Sequence, residues 1–245
     1  MTNYALTLGG VIPQSNLDLA LDIALRANGG RGFHVFPCHE THFFAPVFSK
    51  GKPVIDKATG AQKLKDWIKS PYASHGNLDF IPGLPHGFSD ATKDAAIIRA
   101  WWGRKPNALV GIACTRDMLV LDLDRGHEDG ADGIAEFERM NGGRRVACGM
   151  IQNTQSGGRH LFFSLPELPI GYKIPATLGA GIDIKSVGKG CVCTGKLPDG
   201  GGYSWVDANH NYLTGLCYPP SWVVQIIAKH NAPKAVARRE YSVTG

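Results

Sequence analysis

Two aspartates interrupt an otherwise apolar run, MLVLDLD at residues 118–124. The Leu and Val content of this run predicts a buried β-strand, and residues two apart on a strand face the same side. Asp122 and Asp124 are therefore expected to project together. Because burying two like charges is costly, they need a neutralising partner, and two carboxylates suit Mg²⁺ or Mn²⁺. A solvated strand end is the alternative for an isolated pair of this kind.

A third acid lies in a second apolar strand, GIDIKSV, where Asp183 stands between Ile182 and Ile184. Lys185 follows two residues later and is expected on the same face as Asp183. An acid beside a cation suits a site for a metal-bound triphosphate, because the ions neutralise some oxygens and the lysine others. An ordinary Asp–Lys pair on the sheet surface is the alternative.

Between these acidic strands lies the segment NTQSGGRHLFFSL. Ser156, Gly157 and Gly158 predict a flexible turn whose backbone N–H groups can cradle phosphate oxygens. His160 begins the next strand, where its ring can donate to a phosphate. Arg159 is expected to face away from His160, since neighbours on a strand alternate. A purely structural histidine is the alternative.

The remaining pattern predicts an α+β fold with a mainly antiparallel sheet, because strands dominate and few helices are interleaved. The strand candidates are NALVGIACT, MLVLDLD, RHLFFSL, GIDIKSV and GCVCTG, together with the short strand GFHVFPC in the first half of the chain. The helix candidates are SNLDLALDIALRANGG, ATKDAAIIRAWWGRKP, GADGIAEFERMNGG and SWVVQIIAKHN. The inward faces are expected to be Leu17, Leu21, Ala24 and Leu25 in the first helix and Ile97, Ile98, Trp101 and Trp102 in the second.

Composition and charge narrow the class of protein. The chain is 43% hydrophobic and 19% charged, which is ordinary for a globular protein. No apolar stretch approaches a membrane span, and the N-terminus lacks a signal-peptide pattern, so a cytoplasmic protein without membrane contact is expected. Residues 49–70 hold six lysines against two aspartates. This run is either a solvated face or a surface that meets phosphates.

Two further patterns are weaker. Cys38, His39 and His42 offer three metal ligands without a second ligand pair, so a structural zinc is not favoured. Residues 190–196 satisfy G-x-x-x-x-G-K, but Leu197 stands where the phosphate-binding loop needs Ser or Thr, and the following PDGGG forbids the required helix.

In this order, LVLDLD, SGGRHLFF and GIDIK resemble the bifunctional primase/polymerase N-terminal (prim-pol) domain of the archaeo-eukaryotic primase superfamily, found in plasmid and phage replication proteins. Upstream, ALRANGGRGFHVFPC, the GKP at 51–53 and the ATKD at 91–94 are similar to the same family, so the resemblance covers roughly residues 15–228. One departure is Gly158, since the wider superfamily has Ser two residues before the histidine.

The resemblance implies an RRM-like, mainly antiparallel catalytic sheet packed with an N-terminal α/β subdomain. It implies a catalytic domain at 1–228, divided into 1–105 and 106–228, and a basic tail or linker at 229–245. The implied activity is template-dependent nucleotidyl transfer, as a DNA primase and/or DNA polymerase of a phage, plasmid or other mobile element. The implied partners are nucleoside triphosphates, a single-stranded DNA template with its primer, and a helicase, fused or separate.

The resemblance also implies roles for individual residues. Asp122, Asp124 and Asp183 would hold two Mg²⁺ or Mn²⁺ ions and, with His160, form the catalytic set. The nucleotide-binding set would be Ser156, Gly157, Gly158, Arg159, His160 and Lys185.

Two other functions stay open at this point. A metal-dependent nuclease or a strand-nicking replication initiator on single-stranded DNA would reuse the carboxylates. The nicking class also needs a His-hydrophobic-His motif, which is absent from the nine histidines. A non-catalytic nucleic-acid-binding module is the third hypothesis, and it leaves the three acids and the histidine without a purpose.

Overall fold

The acidic strands lie in an antiparallel sheet of six strands. The computed structural model describes residues 15–42, 44–49, 52–73, 80–126, 130–144, 148–165, 167–188, 191–207 and 211–232. Over these residues the fold is mixed α+β, with four α-helices and antiparallel sheets. The predicted α+β class is therefore confirmed.

The larger sheet has the strand order β10-β11-β7-β9-β8-β13, with every neighbouring pair antiparallel. Its strands are β7 (Met118–Leu123), β8 (Met150–Asn153), β9 (Arg159–Ser164), β10 (Thr177–Gly179), β11 (Ile182–Lys185) and β13 (Ser204–Trp205). Three of them, β7, β9 and β11, coincide with predicted strands. The two acidic strands are direct neighbours in this sheet.

A second sheet has three antiparallel strands in the order β1-β6-β12. Its strands are β1 (Val35–Cys38), β6 (Leu109–Ala113) and β12 (Cys191–Thr194). Two short ribbons include parts of the basic run, and they are formed by β2 (Phe44–Pro46) with β5 (Leu64–Asp66) and by β3 (Phe48–Ser49) with β4 (Lys52–Pro53).

The helices are α1 (Asn16–Gly30), α2 (Ala95–Arg104), α3 (Gly133–Met140) and α4 (Ser221–His230), and a short 3₁₀ helix spans Gly87–Asp90. Ser15 begins α1 with a capping box, since its hydroxyl accepts from the N–H of Asp18 and the Asp18 carboxylate accepts from the N–H of Ser15. Asp94 and Asp132 are the N-caps of α2 and α3, and each carboxylate accepts from two backbone N–H groups of the first turn.

The buried face of α1 differs from the prediction. Ala24 is buried as predicted, and Leu17 and Leu21 are partly buried against the core. The other buried apolar side chains are Ala20, Ile23 and Ala27, whereas Leu25 is 53% exposed. Small side chains let the helix axis approach its neighbours closely, and the larger leucines then lie at the edge of the contact. In α2, Ile98, Trp101 and Trp102 are buried as predicted, and Ile97 is exposed.

The two faces of β7 belong to different hydrophobic cores, as the period of two requires. Met118 and Val120 pack in a core shared with α1, α2 and the three-stranded sheet, while Leu119, Leu121 and Leu123 pack with α3 and α4. Asp122 continues the first of these faces. Across the described ranges, no helix is both long and apolar enough to cross a bilayer.

Candidate functional site

The site residues form one row across the six-stranded sheet. Asp183 on β11 lies opposite Asp122 on β7, Asp122 lies opposite His160 on β9, and His160 lies opposite Gln152 on β8. Side chains directly opposite each other on neighbouring strands stand on the same face and within contact distance. The backbone register alone therefore brings together three of the residues that the sequence analysis selected.

Lys185 joins the two carboxylates of this row. Its ammonium lies 3.0 Å from Oδ2 of Asp183 and 3.3 Å from Oδ2 of Asp122. The side chain of Asp122 is 15% exposed and that of Asp183 is 46% exposed. Two acids from different strands thus converge on one positive charge, as the alternating pattern of GIDIK predicted.

The charges of Asp122 and Lys185 stabilise each other. Burial alone would raise the pKa of Asp122, but the neighbouring His160 ring and the Lys185 ammonium outweigh burial and hold that pKa below its ordinary value. Burial would likewise lower the pKa of Lys185, and the two carboxylates reverse this and raise it. Both groups are therefore charged at neutral pH.

Polar partners hold the His160 ring on both of its nitrogens. Nε2 lies 3.4 Å from Oδ1 of Asp122, and Nδ1 lies 2.8 Å from the amide oxygen of Gln152. The Gln152 amide donates in turn to the hydroxyl of Thr194 on β12 of the other sheet. Tyr203 stacks on the ring with centroids 5.9 Å apart. The ring is buried and fixed in one orientation.

Asp124 lies just beyond the end of β7, where three backbone segments meet. Its N–H donates to the carbonyl of Gly181, and its carbonyl accepts from the N–H of Gly133, at 2.9 and 2.7 Å. A Cβ on Gly133 would lie 2.0 Å from the Gly181 oxygen, and one on Gly158 would lie 2.3 Å from the Leu123 oxygen. Only glycine permits this close approach, which fixes the direction in which Asp124 leaves the strand.

An open pocket of about 160 Å³ lies above this row, and the three-stranded sheet contributes one wall. Its lining residues are Lys69, Asp122, Asp124, Thr154, Ser156, His160, Val192, Cys193 and Tyr203. The pocket therefore brings Asp124 and Ser156 together with Asp122 and His160. It contains two carboxylates and one lysine.

Four residues of the predicted nucleotide set do not line this pocket, and one of them, Lys185, is held by Asp122 and Asp183 instead. Gly157 adopts a positive φ of 84° in the turn before β9, with open space around it. Gly158 lies against the backbone of Leu123, and Arg159 is exposed and adjacent in sequence to the buried His160. Their roles in binding nucleotide stay predictions.

The two candidate metal groups make other contacts in the structure. Among the described residues, no three His, Cys, Asp or Glu side chains form a group that could hold an ion unaided. For the acidic set, Lys185 holds the position between Asp122 and Asp183. In the Cys38, His39 and His42 segment, His39 stacks on Tyr72 and His42 pairs with Asp66.

Sequence reasoning did not single out several members of the site. Gln152 lies in a strand too short to be recognised, and Thr154 follows that strand directly. Thr194 and Tyr203 lie outside the three segments that carry the acids and the histidine. Lys69 belongs to the basic run, whose excess of lysine was the only available signal. That run did suggest contact with phosphates, but not which lysine makes it.

Comparison with known families covers most of the chain. A model of the family described as bifunctional DNA primase/polymerase, N-terminal (Prim-Pol), matches residues 24–222, a range that contains every residue of the site. A search of curated proteins gave no match. Since the family model covers well over half of the sequence, the chain belongs to the Prim-Pol family of bifunctional DNA primase/polymerase N-terminal domains.

Proposed function

We propose that the chain is a template-dependent nucleotidyltransferase that acts as a DNA primase and/or DNA polymerase. Membership of the Prim-Pol family supports a nucleotidyltransferase of primase/polymerase type. The observation that carries the proposal is the row Asp183–Asp122–His160, in which two carboxylates converge beside a buried imidazole, and Asp122 and His160 line one pocket. These are the groups that phosphoryl transfer needs for charge neutralisation and positioning.

The donor set fits a hard divalent cation. Oxygens of Asp122 and Asp183 already point at one cationic atom, Nζ of Lys185, and Asp124 shares the pocket with Asp122. Mg²⁺ usually takes one or two carboxylates and completes its shell with water and substrate phosphates, so three converged protein ligands are not required before substrate binds. In this proposal Asp122, Asp124 and Asp183 hold two Mg²⁺ or Mn²⁺ ions. Such ions neutralise charge on the attacking and leaving oxygens.

The side chains around the acids bind and orient the incoming nucleotide. When nucleotide binds, Nε2 of His160 donates to a phosphate oxygen in place of Oδ1 of Asp122, while Gln152 on Nδ1 and Tyr203 maintain the orientation of the ring. Ser156 contacts the same phosphates from the pocket wall, and Lys185 shares its charge between the acids and the nucleotide. The nucleotide supplies its own leaving group, pyrophosphate, so no protein nucleophile is needed.

The wider context belongs to the same proposal. The partners are nucleoside triphosphates, a single-stranded DNA template with its primer, and a helicase, fused or separate, in the replication of a phage, plasmid or other mobile element. The six-stranded sheet is assigned an RRM-like arrangement, within a catalytic domain at 1–228 whose parts are 1–105 and 106–228. A basic tail or linker at 229–245 and a cytoplasmic location complete the assignment.

The test is nucleotide incorporation on single-stranded DNA. Purified full chain is incubated with a template, with and without a primer, with ribo- or deoxynucleotides and with Mg²⁺ or Mn²⁺, and products are resolved on a sequencing gel. Asp122→Asn should abolish synthesis, because one metal ligand and the partner of His160 are lost together. Asp117→Asn is the matched control: Asp117 immediately precedes β7 at the opposite end from the site, so synthesis should persist.

Two outcomes would overturn the proposal. One is full synthesis by a folded Asp122→Asn variant, with folding checked by thermal denaturation. The other is metal-dependent cleavage of labelled single-stranded DNA in the absence of nucleotides, without any incorporation, which would favour the nuclease alternative.

A further inference from the structure

Lys69 has an unusual backbone conformation. Its φ is +62°, in the left-handed region that residues with a Cβ disfavour. Among the described residues the only other non-glycine with a positive φ is Asn28, and asparagine tolerates this region well. Strain of this kind persists where the surroundings impose it, and it concentrates at functional sites.

The surroundings of Lys69 impose that conformation from two elements. Its N–H donates to the carbonyl of His39 at 2.9 Å, and its carbonyl accepts from the thiol of Cys193 on β12 at 3.3 Å. The next residue, Ser70, closes the turn by donating to the carbonyl of Trp67. The turn therefore delivers the Lys69 side chain to one place.

That place is the catalytic pocket. The Lys69 ammonium lies 5.7 Å from the centroid of the Tyr203 ring, and the other face of the site is formed by Asp122, Asp124 and His160. In the described part of the chain no carboxylate lies within ion-pair distance of Lys69, whereas Lys185 is held by two carboxylates. Of these two lysines, Lys69 is the one whose charge the acids do not neutralise.

We propose that Lys69 binds the phosphates of the incoming nucleoside triphosphate. The inference rests on the proposed function and adds a residue from outside the acidic strands to the substrate site. A lysine ammonium is a compact charge suited to phosphate oxygens. Its position across the pocket from Asp122 lets it bind oxygens that ions at the acids do not reach, and Tyr203 limits the directions in which the ammonium can move.

The left-handed backbone allows a test that separates binding from folding. Lys69→Gly removes the charge and relieves the strain, so its midpoint in urea should equal or exceed that of the wild type. Its dissociation constant for fluorescently labelled dATP with Mg²⁺, measured by anisotropy on the full chain, should rise about tenfold. Lys69→Arg should stay within about threefold of the wild type, because the charge remains.

A matched control removes a lysine elsewhere in the same run. Lys65 stacks over Trp67 and does not line the pocket, so Lys65→Met should leave the affinity for dATP unchanged. A labelled nucleoside without phosphates should bind Lys69→Gly and the wild type equally.

Clear results would overturn the inference. One such result is an unchanged affinity of Lys69→Gly for dATP. The other is a loss of affinity in Lys69→Arg as large as that in Lys69→Gly, with the urea midpoints of both variants lowered, because that combination marks a structural lysine. A wild type that binds dATP through Lys69 but never incorporates it would contradict the proposed function and leave the role of Lys69 intact.

Discussion

The close contact between Gly133 and Gly181 determines the position of Asp124, so a substitution at Gly133 should change both stability and activity. In Gly133→Ala the new methyl carbon would lie 2.0 Å from the Gly181 oxygen and 2.9 Å from the Asp124 nitrogen. Restoring an ordinary contact of 3.4 Å to the oxygen requires the two segments to separate by the difference, about 1.4 Å. Neither neighbour is a flexible side chain, so backbone has to move.

The cost of Gly133→Ala has two parts. Overpacking of a tight contact costs about 1–3 kcal/mol. The separation also weakens the two hydrogen bonds that join Asp124 to Gly181 and Gly133, each worth about 1 kcal/mol. We therefore expect the free energy of unfolding to fall by about 2–5 kcal/mol. The rate of nucleotide incorporation should also fall below that of the wild type even where the variant is fully folded, because Asp124 is displaced from the pocket.

Urea denaturation followed by tryptophan fluorescence measures the first effect, and primer extension at a temperature where the variant is folded measures the second. Gly103→Ala is the control, because a Cβ there meets nothing within 4 Å and the residue lies in α2. Equal stability and equal extension rate in Gly133→Ala and Gly103→Ala would contradict a displacement of the backbone at the contact between Gly133 and Gly181.

The remaining predictions concern the two sheets. Gly111→Ala would place a Cβ 2.5 Å from the Phe36 ring, so a loss of about 1–3 kcal/mol in urea denaturation is expected, and an unchanged midpoint would contradict it. Lys185→Met removes a charge that keeps the pKa of Asp122 low, so the variant should be less stable at pH 7. Because the pKa of Asp122 is lower in the folded chain than in the unfolded chain, its ionised carboxylate stabilises the fold above the unfolded pKa. This stabilisation is lost as the pH falls through the folded pKa. The difference in urea midpoint should therefore shrink below about pH 4, and an equal difference at pH 7 and pH 3 would disprove the assignment.

Much of the acidic face could be predicted from sequence, because the alternation of two residues is a local property. The runs around Asp122, His160 and Asp183 each contain enough large apolar residues to indicate a strand and its buried side. The strand order was not predicted, yet any order that pairs β11 with β7 in this register yields the same convergence of carboxylates.

The rest of the site depends on packing that no local pattern records. Lys69 reaches the pocket through a left-handed turn that is imposed by His39 and Cys193, residues that are distant in sequence. In α1 the prediction failed at Leu25, which is exposed, because close helix packing selected the alanines rather than the largest side chains. Gln152 lies in a strand of four residues, too short to distinguish from a loop.

The polar row that ends at Thr194 has a consequence for how the site forms. Asp183, Asp122, His160, Gln152 and Thr194 come from five separate strands in two sheets. Each member contacts a neighbour supplied by another strand, and the hydrogen bond from Gln152 to Thr194 joins the two sheets. The row is therefore complete only when both sheets have formed and packed together, so its geometry should be lost as soon as the two sheets separate.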